Sequence, residues 1–231
     1  GEAASRILER TGTRGGVVVV VGCEKPEILC ELGENAACLV QGLDTDAHRV
    51  KMAREHIRKK GGYGRISASL FDGRNLPYAA DLVNLVVTSE SCGVPESEVM
   101  RVLAPNGAMF KNGVVQRKST TETIDEWSHF LYGPGNNAVS RDTAVGPVGG
   151  LKWMCGPLWS RSHEFTSSLS ILVSAGGRVF YVVDEGIISI TTPNIPERWA
   201  LIARDAFNGK LLWRMPLPAL MRCTSPARIT E

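Results

Sequence analysis

The sequence predicts an α/β domain on an open, mostly parallel sheet, followed by an all-β segment. Two observations carry this reading. Up to about residue 112, short apolar runs rich in β-branched residues alternate with helix-like stretches, as parallel strands and their crossover helices do. All five tryptophans fall after residue 126, where β-like runs recur between turns. A polar stretch rich in Thr and Ser, Lys111 to Glu126, lies between. The expected division is residues 1–112 for the α/β domain, 113–126 for a linker, 127–221 for the β segment and 222–231 for a tail.

Gly16 to Val21 is an unbroken apolar run, as expected of a strand buried on both faces. Gly22 closes it. Pro26 suits the first turn of a helix through Leu32, with Gly33 as its stop. Cys38 to Leu43 reads as a second strand ending at Asp44. A helix follows from about Asp46 to Lys60, with Val50, Ala53 and Ile57 on one face; Lys59 and Lys60 suit the negative end of its dipole. Ile66 to Leu70 and Leu82 to Thr88 are the third and fourth strands. Pro95 to Leu103 is helical, and Pro105-Asn106-Gly107 turns the chain into a fifth strand near Ala108 to Phe110.

Composition narrows the function classes. The net charge of +2 is too small to argue for nucleic acid or an anionic membrane as partner. Val17 to Val21 is far shorter than a membrane span. The opening residues lack the basic stretch and apolar core of a signal peptide. The six cysteines form no CxxC pair and read as structural thiols. His48 and His56 fall on the basic helix and are expected to be solvated; His129 and His163 follow tryptophans. No two of the four have zinc spacing, and no metal is expected. Asp184-Glu185 before Gly186 reads as a turn rather than a catalytic dyad.

In a parallel sheet of this kind, ligands bind at the carboxyl ends of the strands near the reversal of strand order. Three features stand there: Gly22 after the first strand, Asp44 after the second and Asp72 after the third. Gly22 allows close approach of backbone to a ligand. Asp44 can accept from two ribose hydroxyls, and Asp72 from an exocyclic amine.

These residues carry a resemblance. Val17-Val-Val-Val-Val-Gly22-Cys23, Gly42-Leu-Asp44-Thr-Asp46, Asp72-Gly73 with Leu76-Pro77-Tyr78, and Arg101-Val-Leu-Ala-Pro-Asn-Gly107 resemble the successive motifs of class I S-adenosylmethionine (SAM)-dependent methyltransferases. The resemblance covers about residues 3 to 112. It implies a Rossmann-like fold with SAM as cofactor. It places Gly22 and Cys23 against the methionine part of SAM, Asp44 on the ribose, and Asp72 with Gly73 at the adenine. The chain departs from the family in four ways. Of the usual Gly-x-Gly-x-Gly only the first glycine remains, and Glu24 brings a charged side chain to that loop. Asn84 stands where an Asp is common. Ser89-Glu90-Ser91 occupies the place after the fourth strand without an evident catalytic residue. The final antiparallel hairpin is expected to be missing or very short.

The second half carries its own resemblance. Leu169 to Ser174, Arg178 to Val183, Ile187 to Ile190, Trp199 to Arg204 and Lys210 to Met215 read as strands, with Ala175-Gly176-Gly177 as a hairpin turn. Leu201-Ile-Ala-Arg-Asp-Ala-Phe-Asn-Gly-Lys-Leu-Leu-Trp213 resembles the blade repeat of quinoprotein-like (PQQ-repeat-like) β-propellers. In that repeat Asn208-Gly209 makes the tight turn and Trp213 packs between blades. The segments 124–129, 142–147 and 156–163 resemble the joining region of multidomain bacterial proteins that place a methyltransferase-like domain before such a propeller. A blade takes about 40 to 50 residues and a ring at least four blades, so there is room for about two. An open stack leaves unpaired edges. The sequence therefore predicts a fragment of a longer protein, or edges covered by self-association or a partner chain.

Two functions follow: a SAM-dependent methyltransferase with an unknown acceptor, or a non-catalytic methyltransferase-like module that scaffolds a propeller. A nicotinamide oxidoreductase is disfavoured by the absence of Gly-x-Gly-x-x-Gly. A quinone-dependent dehydrogenase is disfavoured because a partial propeller cannot enclose a cofactor on its axis. A SAM enzyme implies the cytoplasm, whereas an exported propeller implies the opposite.

Overall fold

The computed structural model describes residues 2–88, 93–120, 123–144, 149–156, 169–188 and 197–218. The elements run α1 (Glu2–Thr11), β1 (Gly16–Val21), α2 (Pro26–Leu32), β2 (Cys38–Asp44), α3 (Ala47–Lys59), β3 (Ile66–Leu70), β4 (Val83–Thr88), α4 (Glu96–Val102), β5 (Leu103–Lys111), β6 (Val114–Arg117), β7 (Leu169–Ala175), β8 (Arg178–Asp184), β9 (Trp199–Asp205) and β10 (Leu211–Pro216).

Strands β1 to β6 form one sheet in the order β3-β2-β1-β4-β5-β6. The first five are parallel, and β6 returns antiparallel on β5. β1 shows why its run of valines is continuous. Val18 and Val20 enter one core with residues of α1, α2 and α3; Val19 and Val21 enter the other with Val99 and Val102 of α4 and with Leu76. A central strand covered on both sides has no polar face to present. The crossover order reverses between β1 and β4, which places the ligand crevice of such a sheet at their carboxyl ends.

Three features differ from the sequence reading. The stretch Glu2–Thr11 is a helix that packs Ala4, Ile7 and Thr11 inward. The sheet also runs past residue 112, because Val114–Arg117, read as linker, pairs with Ala108 to Lys111. The antiparallel hairpin is thus present with a four-residue second strand. Finally, Pro105-Asn106-Gly107 lies within β5: the register jumps from Val83↔Leu103 to Leu85↔Ala108, so the three residues form a bulge.

β7 to β10 form an antiparallel meander, order β10-β9-β8-β7. Its buried core is small: Tyr181, Val183, Ala200 and Ile202. Ile171, Leu172, Trp213 and Met215 stay 42–48% exposed, so the sheet leaves apolar surface uncovered. Trp213 lies 6.0 Å from Phe180, ring centre to ring centre. Ile187 and Ile188 are outside any strand. The remainder of that expected strand, Ser89-Glu90-Ser91, Trp159, His163 and the tail 222–231 lie outside the described residues.

The two sheets meet through the β9–β10 turn. Asn84 Oδ1, near the start of β4, accepts from the Val17 N–H (2.7 Å) and from Asn208 Nδ2 (2.7 Å), while Asn84 Nδ2 donates to Asp205 Oδ2 (2.6 Å). Asn208 Nδ2 also reaches the Leu82 carbonyl at 2.9 Å. Asp205 Oδ1 accepts from the Phe207 and Asn208 N–H groups, which closes the turn. This seam lies at the amino ends of β1 and β4, the opposite edge from the ligand crevice. A cleft of about 210 Å³ opens beside it, lined by Arg14, Arg117, Arg178, Asn84 and Asp205 among others.

Candidate functional site

At the end of β1 the backbone turns at Gly22, whose φ of +103° is a conformation side chains disfavour. The Gly22 N–H still bonds to the Leu43 carbonyl of β2 (2.8 Å). The next N–H, that of Cys23, donates to Asp44 Oδ2 at 2.8 Å. Gly22, Cys23 and Asp44 therefore form one cluster. The Cys23 thiol is 3% exposed; burial, aided by the Asp44 and Glu24 carboxylates, pushes it up to about 12. It stays protonated at neutral pH and serves as packing.

Asp44 is itself 3% exposed, and its carboxylate is crowded. Besides Cys23 it accepts from the Asp46 N–H (2.8 Å, Oδ1). Arg49 Nε lies 3.1 Å from Oδ1 and 3.0 Å from Oδ2. Burial opposes its ionisation, but the Asp46 and Cys23 N–H groups and the Arg49 guanidinium outweigh burial and hold the carboxyl below the usual range. It is an anion at neutral pH.

Asp72 is exposed and caps its own loop. It accepts from the Arg74 N–H (2.8 Å), the Asn75 N–H (2.7 Å) and Asn75 Nδ2 (2.7 Å); the Asn75 side chain leads in holding its carboxyl low. Gly73 (φ +80°) approaches the loop after β2: a methyl group built on it would lie 2.9 Å from Thr45 Cγ2. Gly73 is thus drawn toward the Gly22–Asp44 cluster. Asp72 sits beside it, turned into its own loop.

Two residues not singled out from the sequence fix this loop. Glu98 of α4 accepts from the Leu76 N–H (2.8 Å), and Arg101 donates to the carbonyls of Tyr78 (2.9 Å) and Leu76 (3.2 Å) while pairing with Glu98 at 2.7 Å. Tyr78 Oη donates to Gln41 Oε1 (2.6 Å), which ties the loop to β2. The signal was the i, i+3 spacing of Glu98 and Arg101 on a short helix. Arg101→Ala is expected to loosen the loop and speed tryptic cleavage after Arg74 several-fold, read by peptide mapping over time; an unchanged rate would mean that the loop holds without Arg101.

Sequence reasoning noted Glu24 as a departure but missed its partner Arg49. Glu24 folds back over the turn, so that a methyl group built on Gly22 would lie 2.5 Å from Glu24 Oε2. Arg49 Nη1 stands 3.7 Å from Glu24 Oε1. His48 is exposed as expected, whereas His56 is half-buried. Among the described residues, no group of three or more His, Cys, Asp or Glu side chains could hold a metal ion, and no helix is long and apolar enough to cross a membrane.

Methyltransferase GfsG of Streptomyces halstedii is 29% identical over 127 residues, covering 50% of this chain and 46% of the relative. The chain is similar to SAM-dependent methyltransferases. It spans about half the length of that curated relative. Among solved structures, geranyl diphosphate C-methyltransferase of Streptomyces coelicolor, in complex with Mg2+, geranyl diphosphate and S-adenosyl-L-homocysteine, is 17% identical. That match has a TM-score of 0.44 and covers 48% of this chain and 44% of that one. A SAM-dependent methyltransferase of Aquifex aeolicus is 18% identical, with a TM-score of 0.42 and coverage of 46% and 61%. No protein-family model matches the chain.

Proposed function

We propose that the carboxyl edge of β1, β2 and β3 is a SAM-binding site and that the first half of the chain is a SAM-dependent methyltransferase module acting on an as yet unidentified acceptor. The observation that carries this reading is the joint placement of Gly22, Cys23 and Asp44 at the reversal of strand order, with Asp44 anionic. The residues fit the group in kind. Gly22 offers bare backbone to the methionine part, Asp44 is the acceptor for the ribose hydroxyls, and the Asp72-Gly73 loop borders the adenine. SAM bound there supplies a methyl group already activated on a sulfonium, so the protein's contribution is alignment and exclusion of water rather than proton transfer. No residue of the chain is assigned as a general base.

The second sheet supports a further part of the reading. A four-stranded antiparallel meander whose β9–β10 hairpin reads Ala203-Arg-Asp-Ala-Phe-Asn-Gly209, followed by Trp213, supports reading this sheet as one blade of a PQQ-like propeller. Its exposed apolar residues are those that a neighbouring blade, a second copy or a partner chain would cover. An alternative role, a non-catalytic scaffold module, is favoured by one observation: both oxygens of the Asp44 carboxylate already accept within the chain, from the Cys23 and Asp46 N–H groups and from Arg49 Nε.

Calorimetric titration with SAM and S-adenosylhomocysteine separates the two. Asp44→Asn keeps the shape of the side chain and one carbonyl acceptor but removes the charge. Micromolar binding by the wild type, weakened at least tenfold in Asp44→Asn at unchanged circular dichroism, is the expected result; a folded wild type that gives no heat favours the scaffold.

A further inference from the structure

Arg49 lies in the first turn of α3, which holds no acidic residue. A cation there faces the positive end of the helix dipole. It is held instead by three carboxylates: Asp44 (3.0 Å), Asp46 (3.7 Å) and Glu24 (3.7 Å). Its Nε lies against both oxygens of Asp44. With the Cys23 and Asp46 N–H groups, it crowds both oxygens from which Asp44 would accept a ribose diol. Glu24, the other end of the group, lies over the bare backbone of Gly22. The two side chains therefore occupy the two parts of the seat assigned above to the cofactor, and they are tied to each other. Both are about half exposed, at 41% for Arg49 and 50% for Glu24, so either can swing into water, and the departure of Arg49 uncovers the Asp44 carboxylate.

Resting on the SAM-binding reading, we infer that Glu24 and Arg49 form a carboxylate–guanidinium latch across the cofactor seat, and that SAM enters only when the latch is displaced. The pair sets the affinity of the site. A seat that is open for a fraction of the time binds more weakly by that fraction. Removing one arm raises the open fraction, and removing both gains little more, because each arm acts through the other.

The test is calorimetric titration of SAM into the full chain as wild type, Glu24→Ala, Arg49→Ala and the double variant, with thermal melts to confirm folding. If the latch is closed about nine-tenths of the time, Glu24→Ala binds SAM about tenfold more tightly than the wild type. Arg49→Ala is also tighter, and the double variant falls well short of the product of the two gains. Glu24→Gln, which keeps the size of the side chain and weakens its tie to Arg49, falls between. Wild type and Glu24→Ala binding SAM equally, or the variant binding more weakly, overturns the latch and leaves the SAM site standing. Absence of binding in every variant overturns the SAM site and the latch together.

Discussion

Replacing Gly16 by alanine is expected to destabilise the protein by about 3 kcal/mol, which joins backbone strain at positive φ to overpacking. Gly16 opens β1 with a φ of +105°, where an L side chain is strained. A methyl group on it would also overlap the carboxamide of Asn84. That carboxamide cannot step aside, because it is bonded to the Val17 N–H, to Asn208 and to Asp205 at once. The alanine thus forces a choice between distorting the central strand and breaking the seam between the sheets. Urea unfolding reads the effect as a lower midpoint. A loss below about 1 kcal/mol would show that the network yields easily, since alanine in place of an unstrained helix or strand glycine is stabilising.

Asn84→Asp is expected to be nearly as damaging at neutral pH and much less so in acid. The substitution sets a carboxylate where Asn84 Nδ2 now donates to Asp205 Oδ2 at 2.6 Å. Asp205 is 6% exposed, and burial raises its carboxyl above the usual range, against the pull of the Asn84, Phe207 and Asn208 donors. Two carboxylates at that distance share a proton, so the pair gives up its shared proton well above the range of the unfolded chain. Groups raised in the folded state stabilise it below their unfolded pKa, and that contribution is lost as pH rises through the folded value. The variant should therefore lose about 3 kcal/mol relative to wild type at pH 7.5, the scale of an uncompensated buried charge. Most of that should return near pH 4. Urea midpoints of both proteins at the two pH values check it; a deficit independent of pH would mean that geometry, not charge, is at fault. Asp44, held low, acts with the opposite sign, losing its contribution as pH falls, but it does so equally in both proteins.

The parts of the fold that sequence showed well are those with simple periodicity. The valine run of β1 has one interpretation, and α2, α3 and β3 have clear breakers at both ends. α1 was not recognised, because Ala4, Ile7 and Thr11 form a thin stripe among Glu, Ser and Arg. β6 was not recognised because three of its four residues are exposed, and an edge strand paired on one side carries little hydrophobic signal. Within the candidate site, Gly22, Cys23 and Asp44 were legible from the strand ends. The Glu24–Arg49 pair was not, since it joins two elements through loop geometry that no spacing encodes; Glu98 and Arg101 carry an i, i+3 spacing, but that spacing does not say that they clamp the loop at Leu76. Asn84 shows the same limit: on sequence it is a substitution in a motif, and in the fold it is the post that joins the two sheets.

The proposed seat of SAM is the carboxyl edge of the first sheet. Hydrogen–deuterium exchange with and without saturating SAM locates the ligand directly. Slowed exchange is expected in peptides spanning residues 22–24, 44–49 and 72–76, with no change around Asn84 and Asp205. No protection anywhere, or protection confined to the seam cleft lined by Arg14, Arg117 and Arg178, would contradict it.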